Sequence, residues 1–182
     1  MSEPSASAVS NAKENQPSFS WIDAIVIYSK PRVIAMAFLG FSAGLPFLLV
    51  FSTLTAWLRE DGVSKSAIGF FAWVGITYSV KVFWAPVVDR LNIPILTRQL
   101  GQRRGWMLLA QIGIASGLLA MSLVGSSDLV VLSLCAVLVA FSSATQDIAI
   151  DAYRIEAVVD EYQGAMSASY IFGYRIALLA AG

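Results

Sequence analysis

The amino-acid sequence predicts an all-α integral membrane protein with about five transmembrane helices. Of its 182 residues, 57% are hydrophobic and only 13% are charged, whereas soluble domains are about 45–50% apolar and about 25% charged. Charged residues are also absent from several stretches of about 20 residues, the length that crosses a bilayer core of about 30 Å as a helix. The polar segments between these stretches are too short to cover them in a soluble fold.

The membrane spans are predicted from the positions where charge is missing. Three stretches contain no ionisable side chain, and two others are each interrupted by a single cation, Lys81 or Arg175. The predicted helices cover residues 33–58, 67–88, 105–127, 129–150 and 164–182. Together they form one transmembrane domain over residues 31–182.

Small residues within the spans indicate where helices pack closely. Gly40 with Gly44, and Gly113 with Gly117, are four residues apart, a spacing that lets helix backbones approach each other in lipid. Pro46 lacks a backbone N–H, so we expect a kink or hinge in the first helix.

Two segments precede the first span, one polar and one partly apolar. Residues 1–18 are rich in Ser, Asn, Ala and Pro, a composition that predicts a disordered tail. Residues 19–30 include a short apolar stretch after Trp21, which predicts a helix lying at the membrane interface.

Orientation follows from the distribution of Lys and Arg outside the spans. One side carries eight of these residues: Lys13, Lys30, Arg32, Arg90, Arg98, Arg103, Arg104 and Arg154. The other side carries only Arg59 and Lys65. The positive-inside rule therefore predicts that the N-terminus and the loop over residues 89–104 are cytoplasmic.

Composition also excludes several classes of function. The formal net charge is zero, from 12 basic and 12 acidic residues, which argues against nucleic-acid binding. The sequence has no histidine and a single cysteine, Cys135, so histidine-based triads and an internal disulfide are impossible. We find no nucleophile with a base and no metal-ligand cluster, so we expect neither an enzyme nor a cofactor or metal.

Charged residues inside the spans are the candidate functional residues. An ionisable group in hydrocarbon costs at least about 2.5–3.5 kcal/mol on insertion scales, so each needs a partner or a hydrated cavity. Lys81 and Arg175 lie within predicted helices, and Gln146, Asp147 and Asp151 lie toward the end of the fourth. One interpretation is a hydrated path in which the two cations meet carboxylates or an anionic substrate. The alternative is a non-transporting scaffold in which the charges pair and only fix the helix register.

Six stretches carry a family resemblance by their order and spacing. They are Pro31-Arg32, Gly40-Phe-Ser-Ala-Gly-Leu-Pro46, Lys81-Val-Phe-Trp-Ala-Pro-Val-Val-Asp-Arg90, Arg103-Arg-Gly-Trp106, Ala144-Thr-Gln-Asp-Ile148 with Asp151-Ala-Tyr153, and Gly173-Tyr-Arg175. From residue 31 onward the chain resembles the AmpG muropeptide permeases, a branch of the major facilitator superfamily. The resemblance implies that residues 31–182 are part of the N-terminal six-helix bundle of such a transporter.

The resemblance also implies a cytoplasmic gate. Asp89, Arg90, Arg103 and Arg104 match the superfamily signature between the second and third helices, which clamps the two halves of the transporter during alternating access. The match departs at Ala85, where a glycine is usual, and in the longer interval over residues 91–100.

The implied activity is import of N-acetylglucosaminyl-anhydro-N-acetylmuramyl peptides across the bacterial inner membrane by proton symport, in peptidoglycan recycling. Gly44, Lys81, Gln146, Asp147 and Arg175 would face the pathway of substrate and protons, with the cations binding carboxylates and Asp147 carrying the proton. The related acetyl-coenzyme A carriers remain an alternative, because their anionic substrate also suits the two cations.

Superfamily transporters have two six-helix halves, with the substrate site between them. The sequence predicts only five helices, so the resemblance implies an N-terminal fragment that lacks the C-terminal half. We therefore expect no transport by the 182-residue chain alone.

Overall fold

A computed structural model of the chain describes residues 21–157 and 160–181. The described part contains helices and no β-strand, which confirms the predicted fold class. Four helical stretches in it are long and apolar enough to cross a membrane, and we number them spans 1 to 4: Pro31–Glu60, Lys65–Phe83, Gln102–Val124 and Leu129–Ala157. The tail predicted for residues 1–18 lies outside the described residues.

Span 1 follows a short helix, α1 (Trp21–Tyr28), and is not uniformly α-helical. It consists of α2 (Pro31–Leu48), a π-helical segment over Leu49–Thr53, and α3 (Leu54–Glu60). Pro46 lies inside α2 just before the π-helical segment. Proline removes one hydrogen bond and crowds the preceding turn, and π-helical turns are common where the regular ladder is interrupted. Where a kink or hinge was expected at Pro46, the structure shows a change from α-helix to π-helix.

Span 2 differs from the single helix predicted over residues 67–88. Its stretch Lys65–Phe83 is divided into α4 (Lys65–Phe71), a 3₁₀ segment Ala72–Gly75, α5 (Ile76–Ser79) and a second 3₁₀ segment Lys81–Phe83. The short helix α6 (Ala85–Arg90) follows, and we extend span 2 to include it. Pro86 lies in the first turn of α6, and proline cannot donate a hydrogen bond to the preceding turn and crowds the carbonyl four residues before it. The apolar composition of the sequence predicted the length of the span but not these interruptions.

The loop between spans 2 and 3 contains a further helix, α7 (Pro94–Leu100), within residues 89–104 that the sequence predicted only as a connecting loop. Gly101 follows it at φ +84°, a backbone conformation that favours glycine. This turn redirects the chain into span 3, which we label α8 (Gln102–Val124).

Spans 3 and 4 form an antiparallel helical hairpin. Span 4 is the single helix α9 (Leu129–Ala157), longer than the predicted range 129–150. Asp128 caps it, because its Oδ1 accepts hydrogen bonds from the backbone N–H groups of Val130 and Val131 at 3.0 and 3.1 Å. An acid suits this position, because its oxygen accepts from free backbone N–H groups and its charge complements the helix dipole.

Helix α10 (Asp160–Ala181) corresponds to the fifth predicted span. It packs along α2 and runs parallel to it, since Lys30 contacts Tyr162 near one end and Thr53 donates a hydrogen bond to the Ala181 carbonyl at the other. Its exposed face carries Phe172 and Leu179. The helix has the length of a span, although it is less apolar than spans 1 to 4 and is not among the four.

Glycines set the closest approach between α2 and α10. A Cβ at Gly173 would overlap the carbonyl of Ala37, and one at Gly40 would overlap the carbonyl of Tyr170. A Cβ at Gly44 would lie 2.9 Å from the Cβ of Ala177. The two backbones therefore touch, as the small-residue spacing predicted for Gly40 and Gly44.

The buried apolar residues form two clusters at opposite ends of the spans. One contains Val50, Leu54, Leu58, Phe71, Leu132 and Val139, among others, and the second contains Val33, Met36, Val88, Met107, Ile150 and Met166. On α9 the first cluster ends at Ala140 and the second begins at Ala149. The residues between them, from Ser142 to Gln146, are buried and mostly polar.

Candidate functional site

The candidate site is the polar part of α9 between the two apolar clusters. Ser143, Gln146 and Asp147 are three and four residues apart, so they share one face of this helix. In the most apolar part of span 4, half of the residues are buried, a larger share than in the corresponding parts of the other three spans. Span 4 is therefore central, and its polar face points at other helices.

Lys81 contacts this face from span 2. Its Nζ lies 3.6 Å from Oδ2 of Asp147, and the two side chains are 34% and 20% exposed. Lys81 begins the second 3₁₀ segment of span 2. The structure thus brings together two of the five residues predicted for the pathway, as an ion pair that is screened from water on most sides.

Trp84, which follows this 3₁₀ segment, contacts span 4. The Trp84 Nε1–H donates to Oγ1 of Thr145 at 3.2 Å, and the Trp84 ring lies 4.8 Å from the ring of Phe141. Thr145 in turn donates to the carbonyl of Phe141. These contacts fix the position of the irregular segment that carries Lys81.

Gln146 is fully buried and joins three spans through a serine. Its Nε2 donates to Oγ of Ser42 on span 1 at 3.0 Å, and Nε2 of Gln111 on span 3 lies 3.5 Å from the same oxygen. Ser42 lies between Gly40 and Gly44 in sequence. The glycine-rich turn of span 1 therefore carries a hydroxyl group into the centre of the bundle.

Four buried oxygen atoms at this site have no hydrogen-bond partner among the described residues: the acceptors Oε1 of Gln146 and Oδ1 of Asp147, and the hydroxyl groups of Ser143 and Tyr78. Buried polar atoms are normally paired, because an unpaired one costs about 1–3 kcal/mol. The site therefore combines an ion pair, unused acceptors and nearby hydroxyl groups.

The other two predicted pathway residues lie elsewhere. Gly44 is buried against Tyr174 and Ala177 of α10, so it forms a helix contact. Arg175 is exposed on α10 and forms no ion pair with a described residue. The structure does not bring Arg175 to the Lys81–Asp147 pair.

A second ionic cluster lies at the end of the bundle that contains the loop over residues 89–104. Arg103 Nη1 lies 2.6 Å from Oδ1 of Asp89, and its Nη2 lies 2.7 Å from Oε1 of Glu156. The Arg103 Nε–H also donates to Glu156 at 3.0 Å. One guanidinium group therefore links the end of span 2 to the end of span 4, which suits its planar, multiply donating shape.

The remaining predicted gate residues stay outside this cluster. Arg104 lies over the ring of Tyr153, 5.8 Å from its centroid, and Arg90 is exposed with no ion pair to a described residue. Gln102 binds the carbonyl of Asp89 at 2.6 Å, and Trp106 binds that of Leu91 at 2.9 Å. These two side chains hold the loop against span 3.

Sequence reasoning missed several residues of both sites. Ser42 and Gln111 are uncharged, and nothing in their local pattern distinguishes them from other polar residues in apolar helices. Glu156 pairs with Arg103, a partner on another span that no short sequence pattern indicates. Trp84 stands next to the interruption of span 2, where Pro86 was the available signal.

The described residues contain no group of three or more potential metal ligands. Their functional groups are amides, hydroxyl groups, carboxylates and cations, which suit reversible binding of a polar solute.

Comparison with known proteins places these features in a family. The model of the family described as acetyl-coenzyme A transporter 1 matches residues 33–131, just over half of the chain. No solved structure matches the chain.

Curated relatives are transporters as well. The chain is 40% identical over 157 residues to putative transporter AmpG 4 of Rickettsia conorii, covering 86% of this chain and 38% of the relative. It is 38% identical to the anhydromuropeptide permease of Escherichia coli K12, covering 86% of this chain and 31% of the permease. Putative transporter AmpG 1 of Rickettsia typhi is 35% identical, with 78% of this chain and 32% of the relative covered.

The chain thus spans about a third of the length of these relatives. Four apolar spans and transporter relatives make it a multi-pass membrane protein. The resemblance to AmpG permeases is confirmed, and the chain belongs to the transporter family described by the acetyl-coenzyme A transporter 1 model, with AmpG transporters as its homologues along 86% of its length.

Proposed function

We propose that this chain is the N-terminal part of a permease that imports anhydro-muropeptides by proton symport across the bacterial inner membrane, without enzymatic activity. The observation that carries this proposal is the Lys81–Asp147 pair, held at 3.6 Å between the apolar clusters beside two unused buried acceptors. The substrate class follows from the Escherichia coli relative, which is named an anhydromuropeptide permease.

The chemistry of the site suits such a substrate. A muropeptide carries carboxylates, amides and sugar hydroxyl groups, which are the partners of an ammonium group and of the amide of Gln146. A substrate carboxylate near Lys81 would compete with Asp147 for the ammonium group. Protonation of Asp147 would release Lys81 for this contact, and this exchange would couple proton uptake to substrate binding.

Arg175 belongs to the proposal in a different way. It is an exposed cation on α10 without an ion pair to a described residue. An exposed cation on an apolar helix is costly in hydrocarbon. We therefore propose that Arg175 faces the cavity completed by a C-terminal half, where it would bind a substrate carboxylate or an acid of that half.

The Asp89–Arg103–Glu156 cluster would act as the cytoplasmic gate. It joins the ends of spans 2 and 4 through ion pairs that are partly exposed. Because exposed ion pairs contribute little free energy, these contacts can break and form again at modest cost. Arg90 and Arg104 would contribute to the gate through contacts with a C-terminal half or with lipid headgroups. The N-terminus would be cytoplasmic, on the same side as these residues.

A second candidate function is transport of an acetyl-coenzyme A-type anion. The family model that matches residues 33–131 carries that description. Lys81 and Arg175 suit phosphate groups as well as carboxylates, so the two functions must be separated by experiment.

The test is a chimera in which this chain replaces the matching segment of the Escherichia coli permease. The chimera is produced in cells that lack their own permease, and uptake of radiolabelled anhydro-muropeptide is measured with and without a proton gradient. We expect proton-dependent uptake. A chimera that reaches the membrane and accumulates acetyl-coenzyme A instead would support the second candidate.

The control is the same chimera carrying Arg98→Gln, a change of an exposed cation that forms no ion pair with a described residue. Its uptake should equal that of the parent chimera. If the parent chimera reaches the membrane and moves neither compound, both transport proposals fail and a non-transporting scaffold is favoured.

A further inference from the structure

A polar cavity lies between spans 1 and 2, at the end remote from the Asp89–Arg103 pair. It has a volume of about 480 Å³ and is lined by residues of both spans, including Arg59 and Lys65. Pockets that hold small ligands have volumes of about 300–1,000 Å³. The cavity is therefore large enough for part of a polar solute.

The charges of this cavity are positive and unpaired within the described part of the chain. Arg59 is near the end of α3 and Lys65 begins α4, and neither forms an ion pair with a described residue. Glu60 and Asp61 follow Arg59 in sequence, but they do not line the cavity. Ser52 and Thr55 contribute hydroxyl groups to its wall.

Three aromatic residues, Phe47, Phe51 and Tyr78, pack together next to the cavity on the side of the candidate site. Phe51 precedes Ser52, and its ring lies 4.9 Å from that of Phe47 and 5.9 Å from that of Tyr78. Gly75 brings span 2 close to Phe51, since a Cβ there would lie 3.3 Å from the ring. Tyr78 in turn lies on span 2 three residues before Lys81.

We infer that Arg59 and Lys65 form an outer binding site for a carboxylate of the transported solute. From Lys65 to Lys81 is roughly 24 Å at 1.5 Å per helical residue. An elongated solute with acids at intervals would first bind here and then pass over the three aromatic residues to Lys81. The inference depends on the proposed function for the identity of the solute, but the binding of a carboxylate at this site can be tested by itself.

The test uses the whole chain in nanodiscs of phosphatidylcholine, with ¹⁵N-labelled arginine. The probe is glutarate, and its uncharged diamide, glutaramide, is the matched control ligand. Binding is followed by the guanidinium NMR signal of Arg59, which is assigned by its loss in Arg59→Gln. We expect glutarate to shift this signal in a saturable way and glutaramide to leave it unchanged.

Two variants examine the charge and the space of the cavity separately. Lys65→Gln should weaken glutarate binding roughly threefold to tenfold, because one of two charge-assisted contacts is lost. Gly69 lines the cavity, and a Cβ there would meet nothing within 4 Å. Gly69→Leu should therefore occlude glutarate without removing a charge.

Matched controls lie elsewhere on the chain. Arg98→Gln removes an exposed cation from the opposite end, and Gly164→Leu adds a side chain at another position with open space around it. Neither should alter glutarate binding. Equal effects of Lys65→Gln and Arg98→Gln, or no effect of Gly69→Leu, would overturn the inference.

A lipid headgroup is the other source of an anion at this end of the bundle. The titration is therefore repeated in nanodiscs that contain phosphatidylglycerol. If that lipid alone shifts the Arg59 signal and abolishes the response to glutarate, the site binds headgroups and the inference is wrong. Because muropeptide uptake is not measured here, failure of the chimera leaves this result unchanged, and the reverse also holds.

Discussion

Lys81 Nζ and Asp147 Oδ2 lie 3.6 Å apart where span 2 has lost regular α-helical hydrogen bonding. The 3₁₀ segment that begins at Lys81 is attached to α9 by this pair and by the Trp84–Thr145 hydrogen bond. Short 3₁₀ segments inside a longer helical element often mark a functional hinge. The ion pair therefore joins the least regular span to the most buried one.

Neutralising either member of this pair should destabilise the chain. Lys81→Met or Asp147→Asn leaves the opposite charge partly shielded from water. Breaking a fully buried pair costs about 3–5 kcal/mol, and because these side chains are 34% and 20% exposed, we expect a smaller loss of about 1–3 kcal/mol in the free energy of unfolding. The double variant should recover part of that loss. Unfolding by denaturant in lipid–detergent mixtures measures the effect.

Exchanging the two charges separates a structural role from a role in transport. In the chimera with the Escherichia coli permease, Lys81→Asp combined with Asp147→Lys should restore stability and leave uptake abolished. Uptake at the parent rate in this double variant would show that the pair only fixes helix register.

Replacing Arg103 should weaken the contact between spans 2 and 4. Arg103→Lys keeps the charge, but a lysine cannot reproduce the three hydrogen bonds to Asp89 and Glu156. We expect a loss of about 0.5–1 kcal/mol at low salt, because the two carboxylates are about half exposed.

The dependence of this loss on ionic strength tests whether it is electrostatic. The difference between Arg103→Lys and the parent chain should shrink as ionic strength rises and exposed charges are screened. Arg98→Lys serves as the matched control and should show no difference at either salt concentration. A loss that is independent of salt would mean that Arg103 acts through packing.

Adding one methyl group at Gly173 should separate α2 from α10. A Cβ at this position would overlap the Ala37 carbonyl, and crowding of this kind costs about 1–3 kcal/mol. Gly164 lies on the same helix with nothing within 4 Å of the added atom. Gly164→Ala should therefore be neutral or slightly stabilising, and thermal unfolding of the two variants makes the comparison.

Removing the hydroxyl group of Ser42 should leave the buried amide of Gln146 without its partner. We expect Ser42→Ala to cost about 1–3 kcal/mol and Ser42→Ala with Gln146→Leu to recover much of it, because both polar partners are then absent. Ser122→Ala is the control, since that exposed hydroxyl bonds only the carbonyl of Leu119 in its own helix. A double variant no more stable than Ser42→Ala would contradict the role given to this hydrogen bond.

The spans and the packing glycines could be predicted because both depend on local sequence properties. Uncharged stretches of about 20 residues reveal membrane helices directly, and the spacing of Gly40 and Gly44 indicates a contact face without naming the partner. The partner, α10, comes from pairing of distant segments, which a single sequence does not encode in any short pattern.

The candidate site could be predicted in Lys81, Gln146 and Asp147 but not in their uncharged partners on other helices. Lys81 and Asp147 are conspicuous in apolar helices, whereas Ser42 and Gln111 become meaningful only when three helices meet. The interruption of span 2 was missed because hydropathy reports composition and not hydrogen-bond geometry. Gly44 was predicted both as a packing glycine and as a pathway residue; the structure shows its contact with α10, and the pathway role stays a prediction.

The divided construction of span 2 has a mechanical consequence. A continuous α-helix transmits a push from one end to the other as a stiff rod, whereas an element interrupted at Ala72–Gly75 and again at Lys81–Phe83 bends at those points. The portion that ends at Asp89 can therefore tilt while the portion beginning at Lys65 stays in place. In the proposed permease, such a tilt would allow the two ends of the transport pathway to open at different times.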